Sequence, residues 1–249
     1  HGLAAVLPGG GFHVRAQGMA PEMLNTKPTP AVAMLWSDTS SKLQSFIKDY
    51  VGGTYGFFPR EANYHRIECI GWDRMLGGMC MPYDFVTEDQ TRQGKLAPYR
   101  LLILPSAQAL PADVCAKIRE YVQNGGTVLA TSVPGLYGDD FEPKGSGQLA
   151  DVFGADFEKF MGLSVVAETP MGTPRREDWI GPWGFNPAKA SANSDSQPTL
   201  FCSFKPRGGA GIVERFTSGE AACIPNSFGK GKAVALGYPI GRESVLCEV

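Results

Sequence analysis

The sequence predicts an α/β protein built on a mostly parallel sheet, with an antiparallel C-terminal extension. Three observations predict it. Leu101-Leu102-Ile103-Leu104-Pro105, a helical stretch, Asn124-Gly125-Gly126 and Thr127-Val128-Leu129-Ala130 read as buried strand, helix, glycine stop and buried strand. That is one βαβ unit, and parallel strands need such a crossover. Ala31-Val32-Ala33-Met34-Leu35-Trp36 is a second continuous apolar run, as expected of a strand covered on both faces. Near the C-terminus the pattern changes to short strand candidates joined by brief turns, which suits antiparallel pairing.

The elements follow in order. Residues 1–30 are rich in Gly, Pro and Ala, and Lys27-Pro28-Thr29-Pro30 is stiff and extended, so this part reads as a linker or incoming tail. Ser37-Asp38-Thr39-Ser40 offers capping chemistry after the first strand. Leu43, Phe46, Ile47 and Tyr50 then recur at helical spacing. A loop from Gly52 to Pro59 leads to a helix over about 60–79, with Trp72, Met75, Leu76 and Met79 on one face. Tyr83 to Val86 is a short strand, and Gln93 to Pro98 a polar turn. Pro111 suits a first helical turn, Val114, Ile118, Tyr121 and Val122 form the stripe, and Gly125 ends that helix. Gln148 to Phe153 is a short helix closed by Gly154. Residues 169–200 read as long loops. Gly211 to Phe216, Ala221 to Pro225 and Lys232 to Gly237 are strands, with a turn from Asn226 to Gly231. The expected organisation is one domain over 31–249, with a parallel α/β core over 31–165 and loops with antiparallel strands over 166–249.

Composition bounds the partners. The chain has 249 residues, 43% hydrophobic and 19% charged, which supports a sizeable core. A net charge of -2 and the lack of a basic run argue against nucleic acid. No apolar run approaches the length of a membrane span. The six cysteines are dispersed without a CxxC pair; Cys69, Cys115 and Cys223 fall in apolar patterns, where a thiol acts as a small hydrophobe. This favours a reducing, cytoplasmic setting over secretion after signal-peptide removal, and leaves the localisation open. Ser244 to Val249 breaks off in an apolar segment, as in a piece of a longer protein.

Several local motifs together resemble the trimerisation domain of family 42 glycoside hydrolases, the bacterial β-galactosidases. They are Ala31 to Trp36, Leu96-Ala97-Pro98-Tyr99-Arg100-Leu101-Leu102-Ile103-Leu104-Pro105, Tyr121-Val122-Gln123-Asn124-Gly125-Gly126-Thr127-Val128, Gln148 to Gly154, and Asn226-Ser227-Phe228-Gly229-Lys230-Gly231-Lys232-Ala233-Val234. The likeness covers roughly residues 30–240, and loop 169–200 departs from it. The resemblance implies a three-layer, flavodoxin-like sheet of the class I glutamine amidotransferase-like kind. It also implies a non-catalytic accessory domain that packs between subunits or against a neighbouring catalytic domain. In those enzymes the catalytic glutamates lie in a separate barrel, so no catalytic residue carries over.

Candidate chemistry is sparse. Ser132 lies where amidotransferases and G-x-S-x-G hydrolases place a nucleophile, on a sharp turn after a strand. Its context, Ala130-Thr131-Ser132-Val133-Pro134-Gly135, lacks the leading glycine, and Pro134 obstructs a following helix. The histidines are His1, His13 and His65, none in the second half where a base would stand. Ser132 is therefore a weak catalytic candidate, and an atypical hydrolase or amidotransferase-like enzyme is the alternative reading. Glu61, His65 and Glu68 share a helical face and read as a solvated surface in preference to a metal site. The acid pairs Glu88-Asp89, Asp139-Asp140 and Glu177-Asp178 read as solvated loops. Trp179, Trp183 and Phe185 crowd one loop, where core packing, an interface with a subunit or domain, and stacking on a carbohydrate compete. A sugar-binding module using Trp179 and Trp183 is thus a third reading. The glycine clusters form neither a phosphate loop nor a dinucleotide fingerprint, and no cofactor or metal is expected.

Overall fold

The computed structural model describes residues 30–46, 64–160, 202–216 and 219–239. Its elements are β1 (Val32–Trp36), α1 (Asp38–Phe46), α2 (Tyr64–Gly78), β2 (Tyr83–Thr87), α3 (Glu88–Arg92), β3 (Leu101–Leu104), α4 (Ala112–Gln123), β4 (Thr127–Thr131), α5 (Ala150–Phe153), β5 (Ala155–Phe160), β6 (Cys202–Pro206), β7 (Glu214–Arg215), β8 (Ala221–Phe228) and β9 (Gly231–Leu236). They form an α/β fold on one nine-stranded sheet, in the order β2-β1-β3-β4-β9-β8-β6-β5, with β7 on β8. The strands β2, β1, β3, β4 and β9 run parallel. The strands β5 to β8 join antiparallel.

Helices cover both faces, because successive strand residues point to opposite sides. Val32 and Met34 of β1 and Ile103 of β3 pack under α2 with Cys69, Trp72 and Leu76. Ala33, Leu35, Leu102, Leu104, Val128 and Ala130 face the other way, onto Val114, Ile118 and Val122 of α4 and Val152 and Phe153 of α5. The apolar runs lacked alternation because both sides are buried.

The glycine-rich hairpin between β8 and β9 also has a packing reason. Gly229 sits at φ 58°, and the N–H of Lys230 donates to the carbonyl of Gln123 at the end of α4 (3.0 Å). A Cβ on Gly231 would overlap the carbonyl oxygens of Val122 and Gly126. The hairpin is thus pressed onto the last turn of α4, and a side chain at Gly231 has nowhere to go.

Several elements differ from the sequence expectation. Glu88 to Arg92 is a short helix, not a loop; Thr87 caps it reciprocally with Gln90. The strands β5 and β6 were not anticipated, and β7 spans only Glu214–Arg215. The strand β8 continues past Pro225 to Phe228. Its partners β6 and β7 reach only Ala221 and Cys223, so Pro225 lies where β8 pairs with β9 alone and no second ladder needs its missing N–H. The strand β9 lies in the stretch 166–249 that was expected to be antiparallel yet completes the parallel set, and β5, within 31–165, is antiparallel.

A Gly231→Ala change forces the chain away from two backbone carbonyls, and we expect a loss of roughly 1–3 kcal/mol in urea unfolding. Gly77→Ala in α2, where a Cβ meets nothing within 4 Å, is expected to be neutral or stabilising by up to about 1 kcal/mol. Equal midpoints for the two variants would contradict the packing of the hairpin on α4.

Candidate functional site

In open parallel sheets, ligands bind outside the carboxyl ends of the strands. Here Ser37 follows β1, Glu88 follows β2, Ser106 follows β3 and Ser132 follows β4. Helix α2 adds His65 and Glu68. All six are buried, together with Ser40, Gln108 and Thr131.

These groups hold one another and the backbone around them. Ser37 caps α1: its Oγ accepts from the N–H of Ser40 (3.0 Å) and donates to Glu88 Oε1 (2.7 Å). Glu88 also accepts from the N–H and the hydroxyl of Thr39 (3.1 and 2.9 Å). Its carboxylate thereby lies at the electropositive end of α1. Ser40 Oγ donates to the carbonyl of Ala109 (2.6 Å) and accepts from its N–H (3.1 Å). Thr131 donates to Glu68 Oε2 (2.9 Å) and accepts from the N–H of Ser106 (3.0 Å).

His65 bridges two strand ends. Its Nε2 accepts from the N–H of Ser37 (2.9 Å), so the ring proton is on Nδ1 and is donated to the carbonyl of Pro105 (2.6 Å). Burial pushes its pKa down to about 4, against the opposing pull of the Pro105 hydrogen bond and Asp38. The imidazole is neutral at pH 7, and its basic nitrogen is engaged by the backbone.

Ser132 occupies a sharp turn, at φ 60°, in the left-handed region where a non-glycine residue is strained. Ser106 after β3 is similar at φ 41°. The expected turn is therefore present without a leading glycine, and no helix follows Pro134 directly. The Ser132 hydroxyl accepts from Gln108 Nε2 (2.9 Å), and its N–H donates to the carbonyl of Leu236 (2.8 Å). Burial raises the thiol pKa values of Cys69 and Cys202, and pushes those of Cys115 and Cys223 up to about 12 and about 11, away from the reactive thiolate.

Two sequence readings are corrected. His65 and Glu68 are fully buried, not a solvated helix face, because Ser37, Pro105 and Thr131 supply partners from distant parts of the chain. Glu88 is buried at the start of α3, not solvated in a loop, because the N-terminus of α1 receives it. The signal that could have found the pair is the stripe His65, Glu68, Cys69, Trp72 and Leu76, which follows the helical period and is buried throughout. Among the described residues no group of three or more His, Cys, Asp or Glu could hold a metal ion. Nor is any described helix long and apolar enough to cross a membrane. Glu61, Trp179, Trp183 and Phe185 lie outside the described residues.

The depressed His65 pKa sets a pH dependence. Below pH 6.5 the unfolded chain takes up a proton that the folded imidazole refuses until about pH 4. Stability is therefore full above pH 6.5 and is lost as the pH falls towards 4, by about 3 kcal/mol in total. Urea unfolding at pH 7 and pH 4.5 should show this loss in the wild type and a clearly smaller one in His65→Asn. Identical pH slopes would refute it.

Comparison with known proteins places this frame. A family model described as the beta-galactosidase trimerisation domain matches residues 31–245. Beta-galactosidase BbgII of Bifidobacterium bifidum is 25% identical over 196 residues, 75% of this chain and 26% of that protein. The β-galactosidase structure from Rahnella sp. R3 aligns with a TM-score of 0.63 at 18% identity, covering 94% of this chain and 33% of that one. That from Bacillus circulans sp. alkalophilus gives a TM-score of 0.60 at 17% identity, covering 93% and 33%. The chain thus spans about a third or less of the length of each of these relatives. With its model matched across nearly the whole described sheet, the chain belongs to the beta-galactosidase trimerisation domain family.

Proposed function

We propose that this chain is a non-catalytic accessory domain that associates with further copies of itself, in an enzyme of β-galactosidase type whose chemistry resides elsewhere. The family match over residues 31–245 carries this reading. The strand-end geometry supports it. The position where an α/β enzyme opens a crevice is filled by His65, Glu68, Glu88 and their hydroxyl partners, so among the described residues no nucleophile and base face a substrate there. The neighbouring catalytic domain is the second partner in this reading.

The finer fold description belongs to the same proposal. The parallel order β2-β1-β3-β4-β9 supports a flavodoxin-like core of the amidotransferase-like kind. A continuous sheet from Val32 to Leu236 supports one domain over 31–249, entered by a tail over 1–30. Trp179, Trp183 and Phe185 enter as interface residues, supported by their aromatic composition.

Sedimentation equilibrium of the chain should give a species of three times the 26.7 kDa of one copy. The same preparation should hydrolyse an aryl β-galactoside no faster than buffer. Turnover that disappears in Ser132→Ala would instead establish the enzymatic alternative.

A further inference from the structure

We propose that the turn from β1 into α1 is a carboxylate-binding cradle, and that Glu88 is its tethered ligand and closes it to free anions. This goes beyond the accessory role proposed above and does not depend on self-association. The strands β2 and β3 flank β1 on opposite sides. Connections diverge at the end of β1, and a sheet of this kind receives its ligand at such a point. Helix α1 starts there and directs its free N–H groups into the gap. A carboxylate already occupies it, carried in from the far end of β2, 49 residues beyond Thr39. The Ser37 hydroxyl and the Thr39 N–H donate to Glu88 Oε1 (2.7 and 3.1 Å), and the Thr39 hydroxyl donates to Oε2 (2.9 Å). Both oxygens are thus held. Among the described residues no Lys or Arg forms an ion pair with Glu88. Its charge is met by hydroxyls, an N–H and the end of the helix. Asp38, the other acid in reach of this helix end, is exposed and accepts from Trp36 Nε1 (3.0 Å) instead.

The donors are fixed independently of their ligand. Ser37 Oγ is held by the N–H of Ser40, whose own hydroxyl is held by both backbone groups of Ala109. The N–H of Thr39 is part of the first turn of α1. The occupant is tethered through α3, which the reciprocal cap of Thr87 and Gln90 and the pairing of Arg92 with Asp89 and Asp113 hold in place. A ligand attached in this way has a high effective concentration and outcompetes free ions of the same kind. Glu88 and Thr39 keep 8% and 9% exposure, so the cradle lies just beneath the surface and an ion from solution can reach it. Beyond Cβ, the side chain of Glu88 has the heavy atoms of one acetate ion. Glu88→Ala therefore removes one acetate from the cradle and leaves a cavity of that size.

Acetate is the probe, with chloride at equal ionic strength and neutral pH as the reference. In chloride, Glu88→Ala of the 249-residue chain should melt below the wild type. Acetate at about 0.3 M should raise its midpoint by about 2–4 °C over chloride, a roughly fivefold gain in the folded fraction. The wild type and Glu88→Gln, whose cradles stay filled, should show only the general effect of acetate on folding. Adding Thr39→Val to Glu88→Ala removes one donor and should weaken the apparent acetate affinity at least about threefold. An acetate shift in Glu88→Ala no larger than that of the wild type would overturn the cradle, as would a shift that Thr39→Val leaves intact. Should Glu88→Ala stay unfolded in both salts, Glu88→Gln decides. A midpoint below the wild type upholds the preference for an anion, and one at or above it overturns that preference. Self-association is read separately, by sedimentation, and stands or falls without this site.

Discussion

The neutral imidazole of His65 joins two chain segments that the sheet ladder cannot join for itself. Just beyond a parallel strand, the backbone leaves the ladder and its N–H and C=O groups need other partners. His65 accepts from the N–H after β1 and donates to the carbonyl after β3, and it does so from helix α2. Only the neutral ring can do both, since the protonated form has two donors and no acceptor. Burial maintains that form by penalising the charge. Glu88 at the N-terminus of α1, Ser40 on both backbone groups of Ala109, and Thr131 between Glu68 and Ser106 extend the same arrangement along the edge. A crevice there would require removing several of these mutually dependent groups together.

The position of α2 has a second consequence. The bridge places the N-terminal turn of the helix over the ends of β1 and β3. Its apolar stripe, Cys69, Trp72 and Leu76, then lies on Val32, Met34 and Ile103. One helix in that place cannot also cover β2, and Phe85 stays bare. The filled strand ends and the uncovered sheet edge are thus two results of one placement. The polar groups at these strand ends are satisfied by one another, and exposed apolar area lies instead at the side of the sheet.

What the sequence revealed divides along the range of the interactions. The β3-α4-β4 unit was legible because buried runs, a helical stripe and Gly125 are local signals. The Gly229-Lys230-Gly231 hairpin was legible for the same reason, although its cause, the carbonyls of Val122 and Gly126, is remote. His65, Glu68 and Glu88 looked solvated because a charged or polar residue is usually exposed. Their burial depends on Ser37, Pro105, Thr39 and Thr131, which lie 28 to 63 residues away in the chain. No window on the sequence contains both members of such a pair. The strand β5 escaped notice because Ala155 to Phe160 carries two acids and a lysine on a strand at the end of the sheet, where exposure is tolerated.

Ser132 shows why strain at a strand end does not by itself identify an enzyme. Its left-handed backbone persists only because neighbours over-determine it. In a hydrolase, that turn would present the hydroxyl to an incoming carbonyl. Here the side-chain amide of Gln108 donates to the hydroxyl, and the carbonyl of Leu236 takes the backbone N–H. Leu236 ends β9, the strand that is parallel to β4 and antiparallel to β8. The turn at Ser132 therefore fastens the parallel part of the sheet to the strand through which the antiparallel part is attached. Strain that an active site would direct at a substrate is directed here at the continuity of the sheet, and the oxygen that would have been the nucleophile is held inside the fold.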